Sequence, residues 1–236
     1  RRDVMNRGLS GYNSAVCFSA AVQSEANPIS QPPGLSLSRS RSVLLPPSSA
    51  PLTSAQWLPK AGGTQPKIAL MLIWFGANDA ALPPSPQSVR RSHLPSSTPR
   101  SRLQLTIPEF KANLHTILDL LRSPSSPYYS PSTKFLLLTP PPVDAPVRNH
   151  ELATRDYPRP PDRDSERTRS FAEAVQEVGL ESGVVCVDTW GVIMEASKEG
   201  GLEKYLADGL HLNPNGYALV TQGEWAVGKR GKGADG

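Results

Sequence analysis

At 236 residues the chain is long enough for one α/β domain with a sizeable buried core, but its hydrophobic share of 38% is low and its 25 prolines are many. That combination predicts an ordinary domain diluted by Pro-rich coil. The net charge of +4 comes largely from two loop-like stretches, since Glu25 is the only acid between Ala15 and Asn78 and none occurs between Ala80 and Pro108; with no basic residues gathered on a folded face, no nucleic-acid partner is expected.

The chain opens with a glycine-rich segment, Asn6-Arg-Gly-Leu-Ser-Gly-Tyr-Asn13. Residues 15–54 follow, with 16 Ser or Pro in 40 positions and no lasting period, the composition of a disordered insert. Residues 68–75, Ile-Ala-Leu-Met-Leu-Ile-Trp-Phe, form a continuous apolar run ending at Gly76, which predicts a strand buried on both faces. Residues 90–105, with 6 Ser or Pro and four arginines in 16 positions, read as a second insert. Thr106-Ile-Pro-Glu109 is a capping box, and Phe110, Leu114, Ile117, Leu118 and Leu121 recur at helical spacing, so a helix is expected over 107–122. Residues 134–139 predict a second strand, 163–181 a helix striped by Phe171, Ala174, Val175 and Val178, and 184–187 a third strand. Asn213-Pro214 reads as an N-cap and first helical residue, opening a last helix through about Gln222; residues 223–236 are a Gly- and Lys-rich disordered tail. Strands alternating with helices imply a mostly parallel sheet, with function at the carboxyl ends of its strands. One domain over 1–222, interrupted by the two inserts, is the expected organisation.

Cys17 and Cys186 show no metal-ligand spacing, and Cys186 lies in the apolar run of residues 183–188 as a buried free thiol. No apolar run approaches the roughly 20 residues of a membrane span. No apolar core follows Arg1-Arg2-Asp3, so no secretory signal opens the chain and a cytoplasmic location is expected.

Three elements could carry chemistry. His211 follows Asp208 by three residues across a glycine turn, just before a helix N-terminus. Such an Asp can fold back to accept the Nδ1 proton, which fixes the tautomer and leaves Nε2 as a general base. Asn78, in Gly76-Ala-Asn-Asp79 after the first strand, can aim its amide donor at a developing oxyanion. Gly11 can offer a backbone N–H to the same oxyanion with no side chain in the way. Taken singly, each reads better as a turn or loop residue. Of the other histidines, His93 lies in an insert, His115 off the apolar stripe of its helix, and His150 in a charged loop.

Taken together and in order, these elements resemble three of the four sequence blocks of the SGNH (GDSL-type) hydrolases. The stretches at 6–13, 74–83, 139–144 and 208–213 are similar to the isoamyl acetate-hydrolysing esterases, fungal ones especially. The resemblance implies a flavodoxin-like three-layer α/β/α sandwich and Ser-His-Asp hydrolysis of small carboxylic esters such as acetates of short alcohols. It implies no metal and no organic cofactor. Carried over residue by residue, it makes His211 the general base, Asp208 its partner, and Gly11 and Asn78 oxyanion-hole donors.

One block is missing. The family's nucleophilic serine stands in Gly-Asp-Ser, which occurs nowhere in the chain. The expectation is a domain truncated at its N-terminus, lacking an interior strand of the sheet, marginal in stability and inactive as given. The alternative from another class is a catalytically dead interaction protein built on the same remnant. Joining Ser14 to Ala55 and Val89 to Thr106 restores the family pattern across both joins, which marks 15–54 and 90–105 as insertions into the domain, either loops or translated introns.

Overall fold

The computed structural model describes residues 58–64, 67–83, 85 and 104–222. Among these residues three strands form one parallel sheet in the order β1 (Leu70–Ile73), β2 (Lys134–Leu138), β3 (Val185–Val187). Leu70 pairs with Lys134 and Ile73 with Leu137; Leu136 pairs with Val185 and Leu138 with Val187. Helix α1 (Ile107–Arg122) connects β1 to β2, while α2 (Ala145–Ala153) and α3 (Ser165–Ser182) lie between β2 and β3. After β3 come α4 (Thr189–Ser197), a 3-10 turn at Leu202–Lys204, and α5 (Pro214–Gln222).

Both crossovers step the same way across the sheet, so crossovers of one hand put α1 and α3 on the same face. There they bury the main core, in which Phe110, Leu114, Ile117 and Leu118 of α1 meet Phe171, Val175 and Val178 of α3 over Ile73 and Leu137. The rings of Phe110 and Phe171 pack tilted, with centroids 4.9 Å apart. The opposite face is covered from α4 and α5, where Leu138 and Val187 bury against Ile193 and Val220. The result is the three-layer α/β/α arrangement that the strand–helix alternation implied.

Local sequence sets the helix ends. The capping box of α1 is formed, with Glu109 Oε2 accepting from the Thr106 N–H at 3.0 Å and Thr106 Oγ1 accepting from the Glu109 N–H at 3.4 Å. Asp164 caps α3 through the Arg167 N–H at 2.7 Å, and Gly183 at φ +61° closes it. The helix starts two residues later than the expected 163, leaving Arg163 beside Asp162 in the connection ahead of it.

Three expectations are corrected. The first strand is not buried on both faces: Leu70 and Leu72 are 53% and 57% exposed, because α4 and α5 cover β2 and β3 on that side and stop short of β1. The disordered-looking stretch expected over 90–105 does not extend to its last residue. Leu105 is buried in the main core, and its carbonyl accepts from Arg167 Nη2 at 2.8 Å. His150 lies on α2 and not in a loop. Residues 15–54, 90–103 and 223–236, with Gly11, Cys17 and His93, lie outside the described residues.

The core assignment predicts unequal costs. Phe171→Ala is expected to lower unfolding free energy by about 3–5 kcal/mol. Thr106→Ala, which removes only a cap, is expected to cost about 1 kcal/mol. Urea unfolding of the two variants checks the ranking.

Candidate active site

The carboxyl ends of the strands open into three loops: 74–83 after β1, 139–144 after β2, and the loop of residues 206–213, held as a small hairpin by the Leu206–Leu212 bridge. The Ala207 N–H donates to the His211 carbonyl at 2.8 Å, so the turn between them is fixed at its base. Gly209 sits in that turn at φ +76°. A Cβ there would lie 2.6 Å from both the Arg148 nitrogen and the Asp144 carbonyl oxygen, so only glycine lets the loop approach the start of α2 this closely.

Asp208 folds back onto its own loop. Its Oδ1 accepts from the Leu210 N–H at 3.1 Å and the His211 N–H at 2.8 Å. Its Oδ2 lies 2.9 Å from His211 Nδ1. An ionised carboxylate has no proton to give, so Nδ1 carries the hydrogen and Nε2 keeps the lone pair. The His211 side chain is 71% exposed, which leaves that nitrogen approachable. Burial works to raise the Asp208 pKa, and the hydrogen bonds from the His211 N–H, from Nδ1 and from the Leu210 N–H outweigh it, holding the carboxyl below its usual value.

Asn78 stands in the turn that ends β1. Gly76 adopts φ +114°, its N–H donates to Asp79 Oδ2 at 3.0 Å, and its carbonyl accepts from Ala80 N–H at 2.9 Å. A Cβ on Gly76 would come within 2.8 Å of the Pro140 ring, so the loops after β1 and β2 are pressed together here. Trp74 Nε1 adds a bond to the Thr139 carbonyl at 2.9 Å.

Between the Asn78 turn and the Asp208 loop lies a buried ionic cluster. Arg148, on α2, grips Asp162 side-on, Nε to Oδ1 and Nη2 to Oδ2, both at 3.1 Å. The remaining nitrogen, Nη1, donates to Asp208 Oδ2 at 2.8 Å and to Glu151 Oε2 at 3.1 Å. Arg163 Nη1 donates to the Asp162 carbonyl at 2.8 Å and lies 3.2 Å from Asp162 Oδ2, and its Nη2 donates to Asn78 Oδ1 at 3.1 Å. The Arg148, Asp162 and Arg163 side chains are 5%, 5% and 2% exposed. Burial works to lower the Arg148 pKa, but the hydrogen bond and charge of Asp162, with Asp208 and Glu151, hold it above the usual arginine value. Burial pushes Arg163 below that value.

The structure thus brings Asn78, Asp208 and His211 to one end of the sheet, linked through side chains that the sequence motifs did not single out. Gly11 lies outside the described residues. His115 is elsewhere, on the outer surface between α1 and α3, where Nε2 lies 2.9 Å from Glu181 Oε2. Cys186 is half-buried, and burial pushes its thiol up to about 12, so it is an inert core thiol. Among the described residues no group of three or more His, Cys, Asp or Glu side chains is placed to hold a metal, and no helix is long and apolar enough to cross a membrane. A cleft of about 560 Å³ lies at the other end of the sheet, at the amino ends of β2 and β3, lined by Arg122, Lys134 and Val185, away from these groups.

An open parallel sheet between two helical layers, with an Asp–His pair and an asparagine turn at its carboxyl edge, defines an SGNH-type α/β domain. The sequence matches the model of the GDSL-like Lipase/Acylhydrolase family over residues 1–219, and the chain belongs to that family. It is 31% identical over 162 residues to a GDSL esterase/lipase of Arabidopsis thaliana, a match covering 67% of this chain and 58% of that protein. It is 26% identical over 225 residues to the isoamyl acetate-hydrolyzing esterase 1 homolog of Bos taurus, covering 95% of this chain and 68% of that protein. Among solved structures it is similar to the lipase/acylhydrolase from Enterococcus faecalis, with TM-score 0.42 and 24% identity over 65% of this chain and 60% of that one. The chain therefore spans about three fifths of the Arabidopsis relative and two thirds of the bovine one.

The state of Asp208 sets a pH dependence. Its carboxyl titrates below the unfolded value of about 3.9, so its stabilising contribution is present above that pH and lost as pH falls through the folded pKa. Stability is expected to decline on acidification below about pH 4, and Asp208→Asn should flatten part of that decline. Thermal unfolding across pH 2–6 checks it; an unchanged slope in Asp208→Asn contradicts it.

Proposed function

We propose that this chain carries the acid–base and oxyanion side of a serine-type carboxylic ester hydrolase acting on small esters, acetates of short alcohols in particular. The observation that carries the reading is the bond of 2.9 Å between His211 Nδ1 and Asp208 Oδ2, in a loop at the carboxyl edge of the sheet, with Nε2 left open. Asp208 holds the tautomer and stabilises the imidazolium once it forms. Nε2 takes the proton of a serine hydroxyl as its oxygen attacks the ester carbonyl carbon. It then returns that proton to the leaving alkoxide, and the cycle repeats with water to release the acid. Asn78 Nδ2 and the Gly11 N–H donate to the oxyanion that forms on the carbonyl oxygen. No metal or organic cofactor enters these steps. The name of the bovine relative, an isoamyl acetate-hydrolyzing esterase homolog, supports the choice of small acetates.

The nucleophile is the part the 236 residues do not supply, since they contain no Gly-Asp-Ser. In this reading the serine belongs to such a block, and the chain as given turns over no ester. Fluorophosphonate labelling read by peptide mass spectrometry tests both halves. The 236-residue chain should remain unlabelled. A version preceded by a Gly-Asp-Ser strand should be labelled at that serine and hydrolyse isoamyl acetate, with His211→Ala lowering the rate by ~10³-fold or more. Labelling of a serine within the 236 residues, abolished by His211→Ala, would overturn the assignment of the nucleophile. No activity with the added block would favour an interaction protein instead.

A further inference from the structure

We propose that Arg148 and Arg163, joined through Asp162, are positioning residues that set the orientation of the two chemical groups at opposite ends of their cluster, the Asn78 carboxamide and the Asp208–His211 pair. The inference rests on the ester-hydrolase reading for its consequence, but the orientation itself is a property of the fold.

At one end, Arg163 Nη2 lies 3.1 Å from Asn78 Oδ1. A guanidinium has donors only, so the amide atom facing it must be the oxygen. That bond holds the carboxamide with Oδ1 toward Arg163 and leaves Nδ2 as the donor on its other side. Arg163 is itself fixed by its backbone neighbour, since Nη1 donates to the Asp162 carbonyl at 2.8 Å. That same carbonyl also accepts from the Leu82 N–H at 3.0 Å, anchoring the loop that carries Asn78.

At the other end, Arg148 Nη1 and His211 Nδ1 share one oxygen, Asp208 Oδ2, at 2.8 and 2.9 Å. The other oxygen is taken by two backbone N–H groups. The carboxylate therefore cannot turn without losing several bonds at once, and the oxygen offered to the imidazole stays where Nδ1 needs it. Asp162 is the element common to both ends. It binds Arg148 through both carboxylate oxygens and holds Arg163 through its carbonyl and Oδ2.

The cluster is not a self-contained ion pair. Arg163 Nε is buried with no hydrogen-bond partner among the described residues. The guanidinium is thus placed to serve its terminal nitrogens, one of which ends on Asn78, and not to satisfy all of its own donors.

The test reads orientation by NMR and needs no catalysis. In the 236-residue chain at a pH where the ring is neutral, long-range proton–nitrogen correlation should show His211 mainly as the Nδ1–H tautomer. In Arg148→Met the Nδ1–H form should become the minor one. In Arg163→Met the His211 tautomer should hold, while the Asn78 side-chain amide resonances, displaced by the guanidinium at Oδ1, move toward their unstructured positions. Asp162→Asn should disturb both signals. Should the methionine variants not fold, Arg148→Lys and Arg163→Lys, which keep the charge but not the fork, are expected to show the same two changes in smaller degree. A fall in melting temperature with both signals unchanged would mean a structural cluster only and would overturn the proposal. Changed signals with no ester hydrolysis in the Gly-Asp-Ser version would leave the orientation standing and remove the hydrolase reading.

Discussion

The side-on pair of Arg148 and Asp162 is the constraint on which this end of the molecule depends. Two guanidinium groups and a carboxylate are almost wholly out of water here. Taking charges into such an interior costs several kcal/mol per ion, and mutual attraction repays it only when hydrogen bonds are nearly complete. Removing one partner of a buried pair typically costs 3–5 kcal/mol, because the other charge is stranded. A well-packed apolar plug would fill the same space at no greater cost in stability. What a plug would not do is reach Asn78 on one side and Asp208 on the other. The polar solution makes sense where direction matters as well as stability.

The fold supplies the distance over which this cluster works. A parallel sheet delivers the ends of all three strands to one edge, and the loops leaving that edge are pressed together by close backbone approaches at Gly76 and Gly209. The Asn78 turn leans on Pro140 after β2, and the Asp208 loop leans on the start of α2. Asp144 serves both purposes: its N–H donates to the Gly209 carbonyl at 2.9 Å and its carboxylate caps α2, the helix that carries Arg148. The chemical loop and the helix holding its carboxylate are therefore positioned by one residue. The far face of β1, where Leu70 and Leu72 are exposed, plays no part in that positioning.

Much of this was open to reading in the sequence where a local rule governs the outcome. Thr106 to Glu109 marked the start of α1 because a capping box is a contact within four residues. The three strands showed as apolar runs because a parallel sheet buries its middle. The Asp208–His211 geometry followed from a spacing of three across a glycine. What the sequence did not disclose depends on contacts between distant segments. Arg148 lies 14 residues from Asp162 and 60 from Asp208 along the chain. Its helix buries only Arg148 and Leu152, so no apolar stripe announced it, although Asp144 before Ala145-Pro146 was a readable cap. Arg163 was hidden by assigning the start of α3 two residues too early, which counted it as helix, and Asp162, just ahead of that start, belongs to no local motif. The one-sided exposure of β1 was unreadable because it depends on how far α4 and α5 reach, not on the strand's own composition.

The most direct test of the account is a double-mutant cycle in urea unfolding with Arg148→Met, Arg163→Met and the pair together. If Asp162 joins the two arginines into one unit, the losses should be non-additive by about 1 kcal/mol or more. Additivity within about 0.5 kcal/mol would mean two independent contacts, and would contradict the claim that one carboxylate holds both halves of the site.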